Sequence, residues 1–317
     1  MCALFQSTAV PPVSPGPELI HPTTIVEAER LSKHLGAHVV IASETFQVTG
    51  SFKYRAAYNV ASQVSEKLLI TASSGNFGQA LACACSMLGK SSIIVMPESA
   101  AKVKVEAVRA FGGQVEMVNV RLKSRAERVR ELAIQHPEAY IASSYDDPLV
   151  IEGNASLGRE LAALHYAFDD VVVPVGGGGL SAGIINGIYQ SGKQIAVVGA
   201  EPLLGNDAAR SLRAGNIVRN EVEPLTIADG ARVLSLGQHN WAILKDGLAG
   251  IVEVPEHNII EGVRILFGLA NLKTEPTGAL SIGALLTEPD RFRGRSVCCI
   301  VSGGNVDRNV YAKILVA

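Results

Sequence analysis

Short β-branched runs alternate with helix-period segments along nearly the whole chain, and this alternation narrows the possible folds sharply. HVVIAS (38–43), KLLITA (67–72), SSIIVM (91–96), GQVEMV (113–118), AYIAS (139–143), DVVVPV (170–175), IAVVGA (195–200), GIVEVP (250–255) and SVCCIV (296–301) read as strands. Between them, AKVKVEAVRAFG (101–112), SRAERVRELAIQ (124–135), IEGNASLGRELAALHYA (151–167) and NIIEGVRILFGLAN (258–271) place apolar residues at helical spacing. Such alternation gives α/β layers built on mostly parallel, twisted sheets flanked by helices. There are too many strands for one sheet core, so two sheets are expected.

Composition excludes several classes. The chain has 317 residues, 48% of them hydrophobic, and a formal net charge of -2. That is enough apolar material for a large core, and the near-neutral charge argues against a nucleic-acid partner. No apolar run approaches the roughly 18 residues needed to cross a membrane. The N-terminal MCALFQSTAVPPVSPGPEL has neither a basic start nor a long apolar core, so it reads as a proline-bearing extended arm and not as a signal peptide. The five cysteines, Cys2, Cys83, Cys85, Cys298 and Cys299, are odd in number, and the last four lie in apolar runs. They read as free buried thiols of a reducing, cytoplasmic protein.

In folds of this class, function gathers where strands run out into helices. Three such loops are chemically unusual. DVVVPVGGGGLSAG puts Gly176, Gly177, Gly178 and Gly179 straight after a strand. Four consecutive glycines are entropically costly and suit a backbone that crowds an anion, above all a phosphate, at a helix start. The loop lacks the Lys-Ser/Thr of a P-loop. It does match a dinucleotide fingerprint, Gly177-x-Gly179-x-x-Ala182, with Glu201 ending the next strand, so an NAD-dependent dehydrogenase is the rival reading. LLITASSGNFGQ places Ser73, Ser74, Gly75 and Asn76 at a second helix start, a setting for a carboxylate. The third loop, VTGSFKYR (48–55), carries a lone lysine, Lys53, where a helix start disfavours cations.

Taken in order with SGGNVD (302–307), TIADG (226–230), SLGQHNW (235–241) and EPTGA (275–279), these loops resemble the pyridoxal-phosphate enzymes of fold type II, the tryptophan-synthase-β superfamily. The match is strongest to the serine racemase and threonine (serine) dehydratase group and extends from about Pro22 onward. It implies a large cofactor-binding domain made of 1–67 and 145–317 and a small domain, 68–144, that carries the Ser-Gly-Asn loop. A homodimer acting on a small amino acid is the family's usual form.

The resemblance assigns roles position by position. Lys53 is the lysine that binds the cofactor covalently. Phe52 packs on one face of its ring, Asn76 meets the ring hydroxyl oxygen, and Ser302 meets the ring nitrogen. Gly176, Gly177, Gly178, Gly179 and the Leu180 amide hold the phosphate, and Gly230 and Glu275 line the same site. Ser73, Ser74, Asn76 and Phe77 hold the substrate carboxylate. Glu201, Gly205 and Asp207 match a divalent-cation site of the racemase-like members, with oxygen ligands suited to Mg²⁺, Mn²⁺ or Ca²⁺. A cation-disfavouring helix start explains the lysine, because a neutral amine is needed for both attack and proton removal.

The implied reaction is β-elimination, in which Lys53 takes the α-proton of L-threonine or L-serine and a 2-oxo acid and ammonia result. Ser74, where dedicated threonine dehydratases commonly have Ala, leaves open a racemase that reprotonates from the opposite face. A β-replacement synthase is a further alternative. Two positions depart from the pattern. Phe77 stands where relatives usually have His, which favours a less polar β-substituent than a second carboxylate. Val48 replaces a lysine near the nucleotide effector of mammalian-type racemases, so nucleotide activation is not expected. The sequence stops at Ala317, so the regulatory domain of biosynthetic threonine dehydratases is not expected either.

Overall fold

A computed structural model describes residues 19–73, 75–100 and 102–316. The N-terminal arm with Cys2, and Ser74, lie outside the described residues. Ten strands are present among the described residues: Thr24–Glu27 (β1), His38–Ser43 (β2), Leu68–Ala72 (β3), Ser91–Pro97 (β4), Gln114–Val118 (β5), Tyr140–Ile141 (β6), Asp170–Pro174 (β7), Ala196–Pro202 (β8), Leu248–Val254 (β9) and Ser296–Val301 (β10). They form a six-stranded sheet, β1-β2-β10-β7-β8-β9, and a four-stranded sheet, β5-β4-β3-β6. Every pairing between them is parallel except that of β1, which runs antiparallel to β2 along one edge.

The parallel strands are near-continuous apolar runs because helices cover both faces of each sheet. Side chains alternate between those faces. In the large sheet Val39, Ile41, Val172, Val198 and Cys299 pack with Leu280 and Leu266 on one side. Val40, Ala42, Val171, Val173 and Cys298 pack with Leu157 and Ile184 on the other. Adjacent Cys298 and Cys299 therefore point apart, and both are free and buried, as are Cys83 and Cys85. The small sheet divides likewise, with Leu69, Ile94 and Met96 on one face and Ile70, Ile93 and Val95 on the other. The helix Lys53–Gln63 puts Tyr54, Ala57 and Val60 into the Leu69 face of that small sheet.

The register brings the unusual loops to one end of the strands. β3 leads into the helix Asn76–Met87, β7 into the glycine run and the helix Gly179–Gln190, and β10 into Ser302. β2 ends at Ser43, and the chain then turns through Gly50 into the helix that begins at Lys53. The loops that follow the neighbouring strands β2 and β10 are tied by an antiparallel bridge between Ser51 and Gly303. Among the described residues no helix is long and apolar enough to cross a membrane.

Candidate active site

Lys53 begins its helix, and its Nζ donates to the Ser144 carbonyl at 2.7 Å. The amine lies 5.0 Å from the centroid of the Phe52 ring and 5.8 Å from that of Phe77. Part of the side chain is open to the cleft, yet protein atoms surround the amine. Burial pushes its pKa down from 10.5 to about 8, and the Glu275 carboxylate partly opposes that shift. Desolvation is therefore the main cause of the weakened ammonium.

Glu275 faces the same space. It is 5% exposed and accepts from Asn76 Nδ2 at 2.9 and 3.1 Å. Burial and the nearby Asp229 raise its pKa to about 7, against the Asn76 hydrogen bond and the charges of Lys104 and Lys53. Ser302 accepts the Phe52 amide at its carbonyl, 3.0 Å away, which sets the two side by side. Its Oγ is buried without a hydrogen-bond partner.

The glycine run forms a cup with a hard floor. A Cβ on Gly177 would fall 2.2 Å from the Tyr145 ring, and Gly178 has φ 94°, a left-handed conformation. Its carbonyls point backward into the protein: Asn240 Nδ2 donates to Gly177 O at 2.7 Å, Ser181 Oγ to Gly178 O at 3.1 Å, and Asn154 Nδ2 to Gly179 O at 3.0 Å. That polarity turns the amides toward the cleft, at the start of the helix Gly179–Gln190. Leu180 follows, 5% exposed. Gly230 closes the rim; its carbonyl would lie 3.2 Å from a Cβ on Gly176, and its amide donates to Thr277 Oγ1.

Ser73 caps its own turn: its Oγ accepts from the Gly78 amide at 3.1 Å. Its hydroxyl proton remains available at the start of the helix Asn76–Met87. Phe77 is 1% exposed and packs into the small-sheet core beside Leu81 and Tyr54, with its ring toward the Lys53 amine.

Glu201, near the end of β8, and Asp207, at the start of the next helix, lie on either side of a 3-10 turn, Leu203–Gly205. Both are buried, and Gly205 is buried with them. Glu201 accepts from the Ala208 and Ala209 amides at 2.8 and 2.9 Å. Its oxygens thus hold the first turn of the helix Asp207–Ala214. Asp207 Oδ1 accepts from Asn220, whereas Oδ2 is buried and unpartnered. Burial and the Asp207 charge raise Glu201 well above the usual carboxylate range, and burial lifts Asp207 to about 6.

The loop Ser143–Asp147 is a hub the motifs did not mark. Ser143 Oγ accepts the Asp146 amide, the Asp146 carboxylate accepts the Gln238 and His239 amides at 2.9 Å each, and Asn240 Nδ2 reaches both Tyr145 O and Gly177 O. Lys53, the glycine cup and the helix Gln238–Gly247 are thereby fixed to one another. The signal was present in sequence only as YDDP, an N-cap followed by proline, which starts the helix Pro148–Ala163.

The family of pyridoxal-phosphate dependent enzymes matches residues 17–303. This chain belongs to that family. Among its relatives is the L-threo-3-hydroxyaspartate ammonia-lyase of a Pseudomonas species, 36% identical over 92% of each chain. The serine racemase of Schizosaccharomyces pombe is 34% identical, covering 92% of this chain and 91% of its own. A solved threonine deaminase from T.th. superposes with a TM-score of 0.86 at 38% identity, over 91% of this chain and 94% of that one.

The residues present fit the family's cofactor. A Cβ on Gly177 would strike the Tyr145 ring and one on Gly179 the Tyr145 carbonyl, so this packing requires glycine where bare amides would hold a phosphate, and the buried, unpartnered Ser302 hydroxyl would offer a ring nitrogen a neutral donor.

Proposed function

We propose that the protein is a pyridoxal-phosphate dependent ammonia-lyase that eliminates the β-hydroxyl of L-threonine or L-serine to give a 2-oxo acid and ammonia. The observation that carries this reading is the Lys53 amine, held by Ser144 between Phe52 and Phe77 with its pKa near 8. Such an amine is a poised base at neutral pH.

In this reading Lys53 holds the cofactor covalently, the amides of Gly176–Gly179 and Leu180 hold its phosphate, Phe52 and Gly230 flank it, and Asn76, Glu275 and Ser302 contact its ring. When bound, the cofactor supplies the electron sink that makes an α-proton removable. Ser302, a neutral hydroxyl, would meet the ring nitrogen without enforcing its protonation, a weaker sink that would favour loss of a β-substituent. The helix start at Asn76, with Ser73 and the Asn76 and Phe77 amides, grips the substrate carboxylate. Once the substrate amine displaces it from the cofactor, Lys53 Nζ would take the α-proton, with the Ser144 carbonyl fixing its direction.

The segment 68–144 acts as a body that closes over the substrate and excludes water. Lys104 on it reaches Asp229 beside Gly230 at 2.7 Å, an ion pair across the cleft mouth. Glu201, Asp207 and the Gly205 carbonyl bind Mg²⁺, Mn²⁺ or Ca²⁺; the unpartnered Asp207 Oδ2 supports this. No third acidic, His or Cys ligand joins them among the described residues, so waters complete the shell. A cytoplasmic homodimer is part of the same reading, supported by the buried free thiols and the family.

A panel of β-hydroxy amino acids, assayed for 2-oxo acid and ammonia, tests the activity. Threonine and serine should outpace 3-hydroxyaspartate, since Phe77 offers a second carboxylate no donor. No 2-oxo acid from any of them would refute the proposal. The racemase reading rests on Ser74 and on the resemblance to serine racemases; chiral chromatography of serine before and after Ser74→Ala decides it.

A further inference from the structure

Asn305 connects the lysine loop, the Ser-Gly-Asn loop and Glu275 through one chain of hydrogen bonds. Its Nδ2 donates to Thr49 O at 2.7 Å and to Asn76 Oδ1 at 2.9 Å. Asn76 Nδ2 in turn donates to both Glu275 oxygens. The polarity of this chain is not arbitrary. A backbone carbonyl can only accept, so Thr49 fixes which end of the Asn305 amide faces it. That end then requires an acceptor from Asn76, which sends the Asn76 amino group toward Glu275 and the cleft. Reversing the Asn76 amide would set donor against donor at Asn305 and acceptor against carboxylate at Glu275.

The backbone protects this arrangement. Gly50 has φ 73°, and a Cβ there would lie 2.5 Å from Asn305 Oδ1. Gly304 N donates to Gly50 O at 2.9 Å, and Glu275 N to Gly303 O at 3.1 Å. Gly50 is thus required both by its own turn and by the Asn305 side chain that reads the neighbouring carbonyl.

We propose that Asn305 is a positioning residue for the elimination: it holds Asn76 Oδ1 away from the cleft and so commits the Asn76 amino group to Glu275 and to the ring oxygen of the cofactor. This rests on the functional reading above and adds to it a residue that touches neither substrate nor cofactor. The charged groups facing Glu275 are Lys53, Asp229 and Lys104, from three different elements.

The test measures cofactor binding, not turnover. Pyridoxal phosphate and its 3-deoxy analogue, which lacks the ring oxygen, are titrated by absorbance into wild type, Asn305→Asp, Asn76→Ala and the double variant. Asn305→Asp replaces the donor by an acceptor and should weaken pyridoxal phosphate on the order of ten- to a hundredfold. The analogue should bind the wild type and this variant within about threefold. The double variant should lose no more than Asn76→Ala alone, since both act through one contact. Asn305→Leu, which removes the donor without adding charge, gives the same comparison if Asn305→Asp does not fold. Equal losses for the two aldehydes, additive losses in the double variant, or unchanged affinity would overturn the proposal. Failure of the wild type to take up pyridoxal phosphate would overturn the functional reading and, with it, this inference.

Discussion

The Lys53 amine and the Ser144 carbonyl, 91 residues apart in sequence, are joined by a 2.7 Å hydrogen bond. The contact directs a base whose charge is already weakened by burial. In cofactor-free protein, labelling of Lys53 by a small amine reagent, read by peptide mass spectrometry, should reach half-maximum near pH 8. Glu275 is ionised at that pH and favours the ammonium, so Glu275→Gln should move the midpoint lower. A Lys53 midpoint near 10, unchanged by Glu275→Gln, would contradict this assignment of the base.

Arg55 is fully buried and pairs with Glu44 at 2.8 Å and Glu160 at 2.6 Å, while also donating to His21 O. Removing it strands the buried Glu44 charge. Arg55→Met should cost about 3–5 kcal/mol in urea unfolding, and adding Glu44→Gln should recover part of the loss. No recovery would mean that packing, not charge, sets the cost.

Lys104 and Asp229 are 30% and 43% exposed, so their ion pair contributes modestly. Lys104→Ala should raise KM about two- to fivefold, the range of a surface pair, with the effect shrinking at high salt. The charge-swapped double variant, Lys104→Asp with Asp229→Lys, should restore most of the loss. A KM indifferent to both changes would remove the pair from closure.

At the Glu201–Asp207 site, ionisation costs stability without a cation. The folded-state pKa of Asp207 is raised from 3.8 to about 6, so its contribution falls as pH rises through that window. Mg²⁺ or Mn²⁺ should raise Tm above about pH 6 and have little effect well below it. Asp207→Asn should abolish the cation response without lowering cation-free stability. A cation response surviving Asp207→Asn would place the ion elsewhere.

Much of this was legible in the residues. The apolar runs named the strands from β2 to β10, because strands covered on both faces must be apolar throughout. The edge strand Thr24–Glu27 escaped notice, being four residues long and only partly buried. The loops at strand ends announced Lys53, the glycine cup and Asn76 through residue types that ordinary turns do not need. Arg55, Asn240 and Asn305 were not announced. Each acts through partners distant in the chain, such as Thr49 for Asn305, and nothing in local spacing encodes such a meeting. The cause of the Lys53 pKa was also hidden, since burial is a property of the folded cleft and not of a helix start.

The most direct test of Lys53 as the cofactor-binding base is chemical trapping. Protein equilibrated with pyridoxal phosphate is reduced with borohydride, digested and mapped. The expected result is loss of the visible absorbance and a single reduced adduct on Lys53. An adduct on another lysine, or none while absorbance persists, would contradict it.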